Sequence, residues 1–390
     1  MGPALFGQGL NFLAMLLPII GQETGQLAYL MLPLALATVL SRTSILGFHS
    51  RYLTVSTGSR DAATSLSLLS MLVVTVVLVV VGLVADLVFT PDTHTVAVLT
   101  GWSTMLLLTN GLYVMAVAVA TQEQRMDVYS TARLVFGVTN VVATCVVVFA
   151  VPFQAGLIVV AGLNPLVAAV LILWRTRNKL LNVLWRDRGS LTDEVHRRWL
   201  RDSTRPTGGV LLAEFGFQFQ GFITPFLGPY QELWAVVVRL TGGFGTLAQQ
   251  VVAPPVEAKI AAAVRADDVA GERSWCRKAL LIGLALGAAS AAVQAGAVLF
   301  SLHGDDSVTV LSLALVSVFC LTWMPSAMCS KIPLMKRLNR YYLAWAFGRL
   351  VLLLPLLLLR DTALLVGVVS VMSATAVFLM WTSLRPAQPE

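Results

Sequence analysis

The sequence predicts an all-α polytopic membrane protein of about twelve transmembrane helices, arranged as two parallel six-helix bundles in a 6+6 pseudo-two-fold repeat. Three observations carry that prediction. First, 57% of the 390 residues are hydrophobic and only 12% are charged, against about 25% charged in an ordinary soluble domain. Second, the apolar residues fall into twelve segments of about the 20 residues that a spanning helix needs. Third, sequence features of the first half recur in the second at a constant offset.

This composition excludes a soluble enzyme, a disordered tail protein and a disulfide scaffold. Cys145, Cys276, Cys320 and Cys329 are scattered, with no CxxC pair and no zinc-like spacing to a histidine. No metal or cofactor is expected. The net charge of +7 points to topology rather than to nucleic acid, because of where the cations lie.

In chain order the predicted spans are 4–20, 26–42, 64–88, 95–120, 131–150 and 154–174, then 207–227, 232–253, 279–302, 307–327, 341–359 and 362–382. The first begins at Ala4 with no basic region before it and no clear small-residue cleavage site, so it reads as a retained span. Even-numbered spans lead into long polar connections, and odd-numbered spans turn back within a few residues. On the side of the N-terminus lie 24 of the 27 Lys and Arg residues. Such a bias sets orientation, so both termini are expected to be cytoplasmic in a bacterial inner membrane.

The repeat has an offset of 207. Gly9-Leu10-Asn11-Phe12 recurs as Gly216-Phe217-Gln218-Phe219, and Pro18 and Gly21 recur as Pro225 and Gly228. The same shift carries spans three to six onto spans nine to twelve. Six spans per half give both halves the same orientation, a plan in which the ligand site lies at the repeat interface. The expected organisation is an N-terminal lobe, 1–174, a basic cytoplasmic linker, 175–206, and a C-terminal lobe, 207–390. Within the linker, Ser190 and Asp193 resemble a helix start, and Leu191, Val195 and Trp199 follow at four-residue spacing. A short interfacial helix would fit them, although topology-setting charge alone accounts for Arg186, Arg188, Arg197, Arg198 and Arg201.

Charged side chains inside a span cost at least about 2.5–3.5 kcal/mol on insertion scales. There are three: Glu214, Arg239 and Arg349. Counted from the cytoplasmic ends of their spans, Glu214 and Arg349 share a level, which predicts an ion pair between them or an ion-coupling role for Glu214. Arg239 has no acid at its depth and is the stronger candidate for binding substrate. Gln8 and Asn11 in span one, with Gln218 one turn beyond Glu214 in span seven, are expected to line a polar cavity. Pro33 in span two, and Gly242, Gly243 and Gly245 in span eight, read as backbone breaks at corresponding places, hence as hinges. Gly283 and Gly287 read as a helix-packing surface. There is no P-loop, and the short outer connections leave no room for the catalytic domain of a membrane glycosyltransferase.

Gly228-Pro229-Tyr230 followed by Arg239-Leu240 and Pro254-Pro255, with Ile45-Leu46-Gly47 ahead of Arg51, resembles the polysaccharide flippase branch of the multidrug/oligosaccharidyl-lipid/polysaccharide exporter superfamily. That resemblance implies a transporter rather than an enzyme. It would move lipid-linked oligosaccharide or polysaccharide precursors to the outer leaflet by alternating access. It also implies a cavity lined by spans one, two, seven and eight, with Arg239, Arg42, Gln8, Asn11 and Gln218 as the substrate-binding residues. Its partners would be the lipid-linked glycan, membrane lipids and glycan-assembly enzymes at the cytoplasmic face, with no nucleic acid. Two other readings stay open. One is a cation-coupled small-molecule exporter of the same fold, using Glu214. The other is a non-transporting scaffold that docks enzymes through its cytoplasmic loops.

Overall fold

The computed structural model describes residues 2–48, 52, 60–90, 92–176, 194–248, 252–336 and 338–386. Among them there is no strand, and every segment read as a span is occupied by helix. Helix is what a bilayer demands of an apolar chain, since each backbone N–H and C=O must then be satisfied within its own segment. Nine helices among the described residues are long and apolar enough to cross a membrane. The chain is a multi-pass membrane protein.

The first unit comprises residues 1–21 and 29–222. It holds α1 (Gly2–Ile20), most of α2 (Thr24–Ser44), α3 (Arg60–Phe89), α4 (Thr95–Gln122), α5 (Met126–Cys145), α6 (Gly156–Thr176) and α7 (Glu194–Phe222). Here α1 packs on α5, α6 packs on α4 and α5, and α3 packs on α4 and α7. The valine-rich face of α3 stays uncovered, with Val76, Val81 and Val84 all more than half exposed, as a lipid-facing surface would be. Asp86 near the end of α3 accepts from the Ala97 N–H at 3.0 Å and from the Thr90 hydroxyl at 2.7 Å, and lies 2.8 Å from His94 Nδ1. One carboxylate therefore fixes the turn into α4 and satisfies one of its orphan N–H groups.

The second unit comprises residues 22–28 and 223–390. It contains α8 (Gln231–Leu247), α9 (Ala253–Arg265), α10 (Val269–Ser301), α11 (Val310–Cys329), the short α12 (Ile332–Met335), α13 (Asn339–Leu353) and α14 (Asp361–Ser383). Pro residues open α9, where the missing N–H costs nothing. Thr309 and Ser312 form a reciprocal capping box at the start of α11. Gly283 and Gly287 do pack α10 on α11: a Cβ at Gly283 would lie 2.6 Å from the Pro325 Cα, and one at Gly287 would lie 2.9 Å from the Cys320 carbonyl oxygen. At the basic end of this unit Lys336 is fully enclosed. Its ammonium lies 2.6 Å from Glu272 and donates to the Ser383 and Arg385 carbonyls at 2.7 and 2.9 Å.

Two expectations about helix limits change. Residues 177–193, with Arg186, Arg188, Ser190, Leu191 and Asp193, lie outside the described residues. From Glu194 onward, however, the basic segment and span seven form one 29-residue helix, about 43 Å long at 1.5 Å per residue. Its inward face is His196, Trp199 and Ser203, all buried, while Val195 is exposed. Leu191 lies outside the described residues, so the expected face is visible only in Val195 and Trp199. His196 Nε2 lies 3.4 Å from the Ser65 hydroxyl on α3. Nor are there breaks at Pro33 or at Gly242–Gly245, since α2 and α8 run continuously through them. Pro33 is carried inside the helix, and Gly245 is occupied from outside by the Trp323 ring, 2.5 Å from where its Cβ would stand.

Candidate functional site

In the first unit, α2 and α7 lie side by side and antiparallel. Gly221 of α7 faces Met31 and Ala35 of α2, and nearer the other end Arg42 donates to Glu214. The carboxylate is largely shielded, with 14% of its side chain exposed, whereas Arg42 is about half exposed at 47%. Within the first unit Glu214 is thus held by Arg42. The level assigned to Glu214 rested on a helix starting at Thr207, but α7 starts 13 residues earlier. Arg349 is buried in the second unit, its guanidinium 4.2 Å from the Trp345 ring centre.

Asn11 belongs to a buried amide chain. Asn140 of α5 donates to the Asn11 side-chain oxygen, and Asn164 of α6 donates to the Asn140 oxygen at 2.7 Å. Thr144 adds a longer bond of 3.4 Å to that same oxygen. Asn140 and Asn164 are 3% and 2% exposed, and the Asn164 side-chain oxygen is buried with no partner among the described residues. This chain holds three helices together through uncharged groups. Gln8 and Gln218 are half-buried, and Gln220 is buried.

In the second unit, Arg239 sits on α8 between the buried Val237 and Leu240. Its Nε is buried without a hydrogen-bond partner among the described residues, and no carboxylate there pairs with it. Two residues on, Thr241 accepts from Gln294 Nε2 at 2.9 Å, and Gln294 also reaches Ser290 at 2.8 Å. The start of α8 is held from two sides. The Thr24 hydroxyl donates to Glu232. The turn before it places Gly228 at φ +51°, where a Cβ would run into the Asp361 carboxylate. Thr362 then donates to the Tyr230 hydroxyl at 3.2 Å. The Gly228-Pro229-Tyr230 motif is therefore a docking turn against the start of α14.

Of the residues singled out in the sequence, Arg42 and Glu214 meet, Asn11 is bound inside a helix bundle, and Arg239 has no charged partner among the described residues. Sequence reasoning missed Asn140, Asn164, Thr24, Glu232 and Gln294. Asn140 and Asn164 carried a legible signal, each an amide in the interior of an apolar run. Among the described residues no group of three or more His, Cys, Asp or Glu could hold a metal ion.

Comparison with known proteins places this architecture. No protein-family model matches the chain, and no curated protein does. Solved structures do. The chain is similar to an inward-facing multidrug resistance MATE family transporter of the MOP superfamily, at 16% identity and TM-score 0.64, over 97% of this chain and 93% of that one. It is similar to a MATE transporter in the bent conformation, at 16% identity and TM-score 0.55 over 97% and 92%. A MATE transporter from Vibrio cholerae matches at 13% identity and TM-score 0.53, over 97% and 94%. The chain has a MATE-like fold. At these identities the likeness is one of fold.

Proposed function

We propose that the chain is an alternating-access exporter of small molecules, coupled to a cation through Glu214. The observation that carries this reading is the Arg42–Glu214 pair, set in a fold shared from end to end with MATE transporters. A carboxylate shielded from solvent and held by one arginine can exist in two states. Ionised, it fixes α2 to α7; neutralised by a proton or satisfied by a metal cation, it releases Arg42 and frees the two helices to move. That is a two-state element which a cation gradient can bias. The inward-facing structure that this fold resembles is that of a multidrug resistance transporter, which supports the same class of cargo.

Arg239 favours a second reading, the lipid-linked glycan flippase. A partly buried guanidinium with no acidic partner is suited to an anionic headgroup, and Arg binds phosphate oxygens bidentately. In that reading Gln8, Asn11 and Gln218 supply contacts to sugar hydroxyls, Pro33 and the Gly242–Gly245 segment supply helix flexibility, and both termini are cytoplasmic.

Reconstitution into proteoliposomes separates the two. Efflux of a lipophilic cation driven by an imposed proton or sodium gradient, abolished in Glu214→Gln and kept in Arg239→Ala, supports the exporter. Gradient-independent exposure of a lipid-linked sugar phosphate at the outer leaflet, abolished in Arg239→Ala, supports the flippase and overturns the first reading.

A further inference from the structure

At the basic end of α10, Arg273, Ser274, Arg277 and Lys278 line an open groove of about 460 Å³ that Leu281 also borders. Arg273 and Arg277 are one helical turn apart and exposed, and neither has an acceptor among the described residues. Like charges at this spacing repel, and no carboxylate among the described residues pairs with either. The adjacent carboxylate, Glu272, points the other way and is consumed by Lys336. Asp268, at the foot of the helix, caps it by accepting from the Gly271 N–H at 2.9 Å. Lys278 is held over the Trp275 ring, 4.2 Å from its centre, which keeps its ammonium at the groove.

Directly below, the same helix face turns apolar and stays uncovered, with Leu281 65% and Leu284 42% exposed. Three cations above and a bare hydrocarbon track beneath match one kind of molecule. We propose that this groove binds the phosphate headgroup of an anionic phospholipid from the cytoplasmic leaflet, its acyl chains lying along Leu281 and Leu284. A basic pocket at the level of the headgroups is the usual physical basis of such recognition. Topology-setting charge needs only the number of cations, not their clustering on one face above exposed leucines. The inference is independent of what the protein transports.

The test is native mass spectrometry of the purified full chain titrated with phosphatidylglycerol, phosphatidylcholine or inorganic phosphate. The wild-type chain is expected to retain one tightly bound phosphatidylglycerol, with phosphatidylcholine at least tenfold weaker and millimolar phosphate failing to displace it. The triple variant Arg273→Gln/Arg277→Gln/Lys278→Gln should lose that lipid by tenfold or more. A triple variant of equal charge change on α7, Arg197→Gln/Arg198→Gln/Arg201→Gln, should keep it. Arg277→Gln alone, expected to weaken binding several-fold, serves if the triple variant does not fold. Equal lipid binding by the wild type and the α10 variants, equal loss in the α7 variant, or displacement by inorganic phosphate alone would each overturn the assignment.

Discussion

Arg42, two residues before the end of α2, reaches across to Glu214, eight residues before the end of α7, and the two form an ion pair between residues 172 apart in the chain. Sequence reasoning had given these residues separate tasks, one for substrate and one for coupling. Their pairing makes them a single element, so a change in either must be judged by what it leaves behind on the other.

A double-mutant cycle on this pair follows. Because Arg42 is about half exposed, the direct coupling should be modest, about 1 kcal/mol. Arg42→Gln should destabilise the protein more than Arg42→Gln/Glu214→Gln, since the single change leaves a shielded carboxylate uncompensated. Thermal unfolding in detergent measures both. With Glu214→Gln measured as well, a double-variant effect equal to the sum of the two single effects would mean that the pair carries no coupling.

Arg239 predicts an opposition between stability and activity. A cation in a span costs at least about 2.5–3.5 kcal/mol on insertion scales, and no carboxylate among the described residues repays this one. Arg239→Leu should therefore unfold at a higher temperature than wild type. In the flippase reading it should also lose translocation of anionic headgroups altogether. A lower midpoint would show that the guanidinium is held by interactions worth more than its desolvation.

Lys336 and Glu272 are the most enclosed ion pair among the described residues, their side chains 0% and 3% exposed. Breaking such a pair from one side costs about 3–5 kcal/mol, and replacing both partners by apolar groups is often neutral. Lys336→Met is thus expected to abolish accumulation of folded protein, with Lys336→Met/Glu272→Leu recovering much of it. Fluorescence-detected size-exclusion chromatography of the two variants decides the matter.

Asn140 lies at the centre of the amide chain, and Asn140→Leu strands both the Asn11 oxygen and the Asn164 amide. Interhelical hydrogen bonds in membranes average about 0.6 kcal/mol and reach about 1.7, so a loss of about 1–2 kcal/mol is expected. It should show as a lowered melting midpoint. Asn140→Gln, which keeps the polar group, should lose less.

Thr24 and Glu232 tie the beginnings of α2 and α8. With the native cysteines replaced, Thr24→Cys/Glu232→Cys should cross-link under mild oxidant and stop transport, and reductant should restore it. Unimpaired transport by the cross-linked protein would show that these two helix ends stay together throughout the cycle.

Much of the helix ladder was legible because length and hydropathy are properties of the sequence alone. The twelve segments from 4–20 to 362–382 each contain a helix, and Gly283 and Gly287 pack as their spacing suggested. What escaped depended on rotation about a helix axis or on a partner far along the chain. The direction of Glu214 could not be counted from Thr207 once the helix began at Glu194. The buried face of α7 is set by His196 against Ser65, a contact between residues 131 apart. Pro33 and Gly245 looked like interruptions because composition cannot tell a broken helix from one that accepts a neighbouring ring. Asn140 and Asn164 could have been found by asking which spans hold an amide in their apolar interior, but their pairing with Asn11 needed coordinates.

The enclosure of Lys336 has a practical consequence at the far end of the chain. Because its ammonium grips the carbonyls of Ser383 and Arg385, the last turn of α14 is knotted to the foot of α10. A truncation upstream of Ser383 would take both carbonyl acceptors from a lysine sealed in the protein interior and leave it Glu272 alone, whereas a purification tag attached beyond Arg385 would leave the knot untouched.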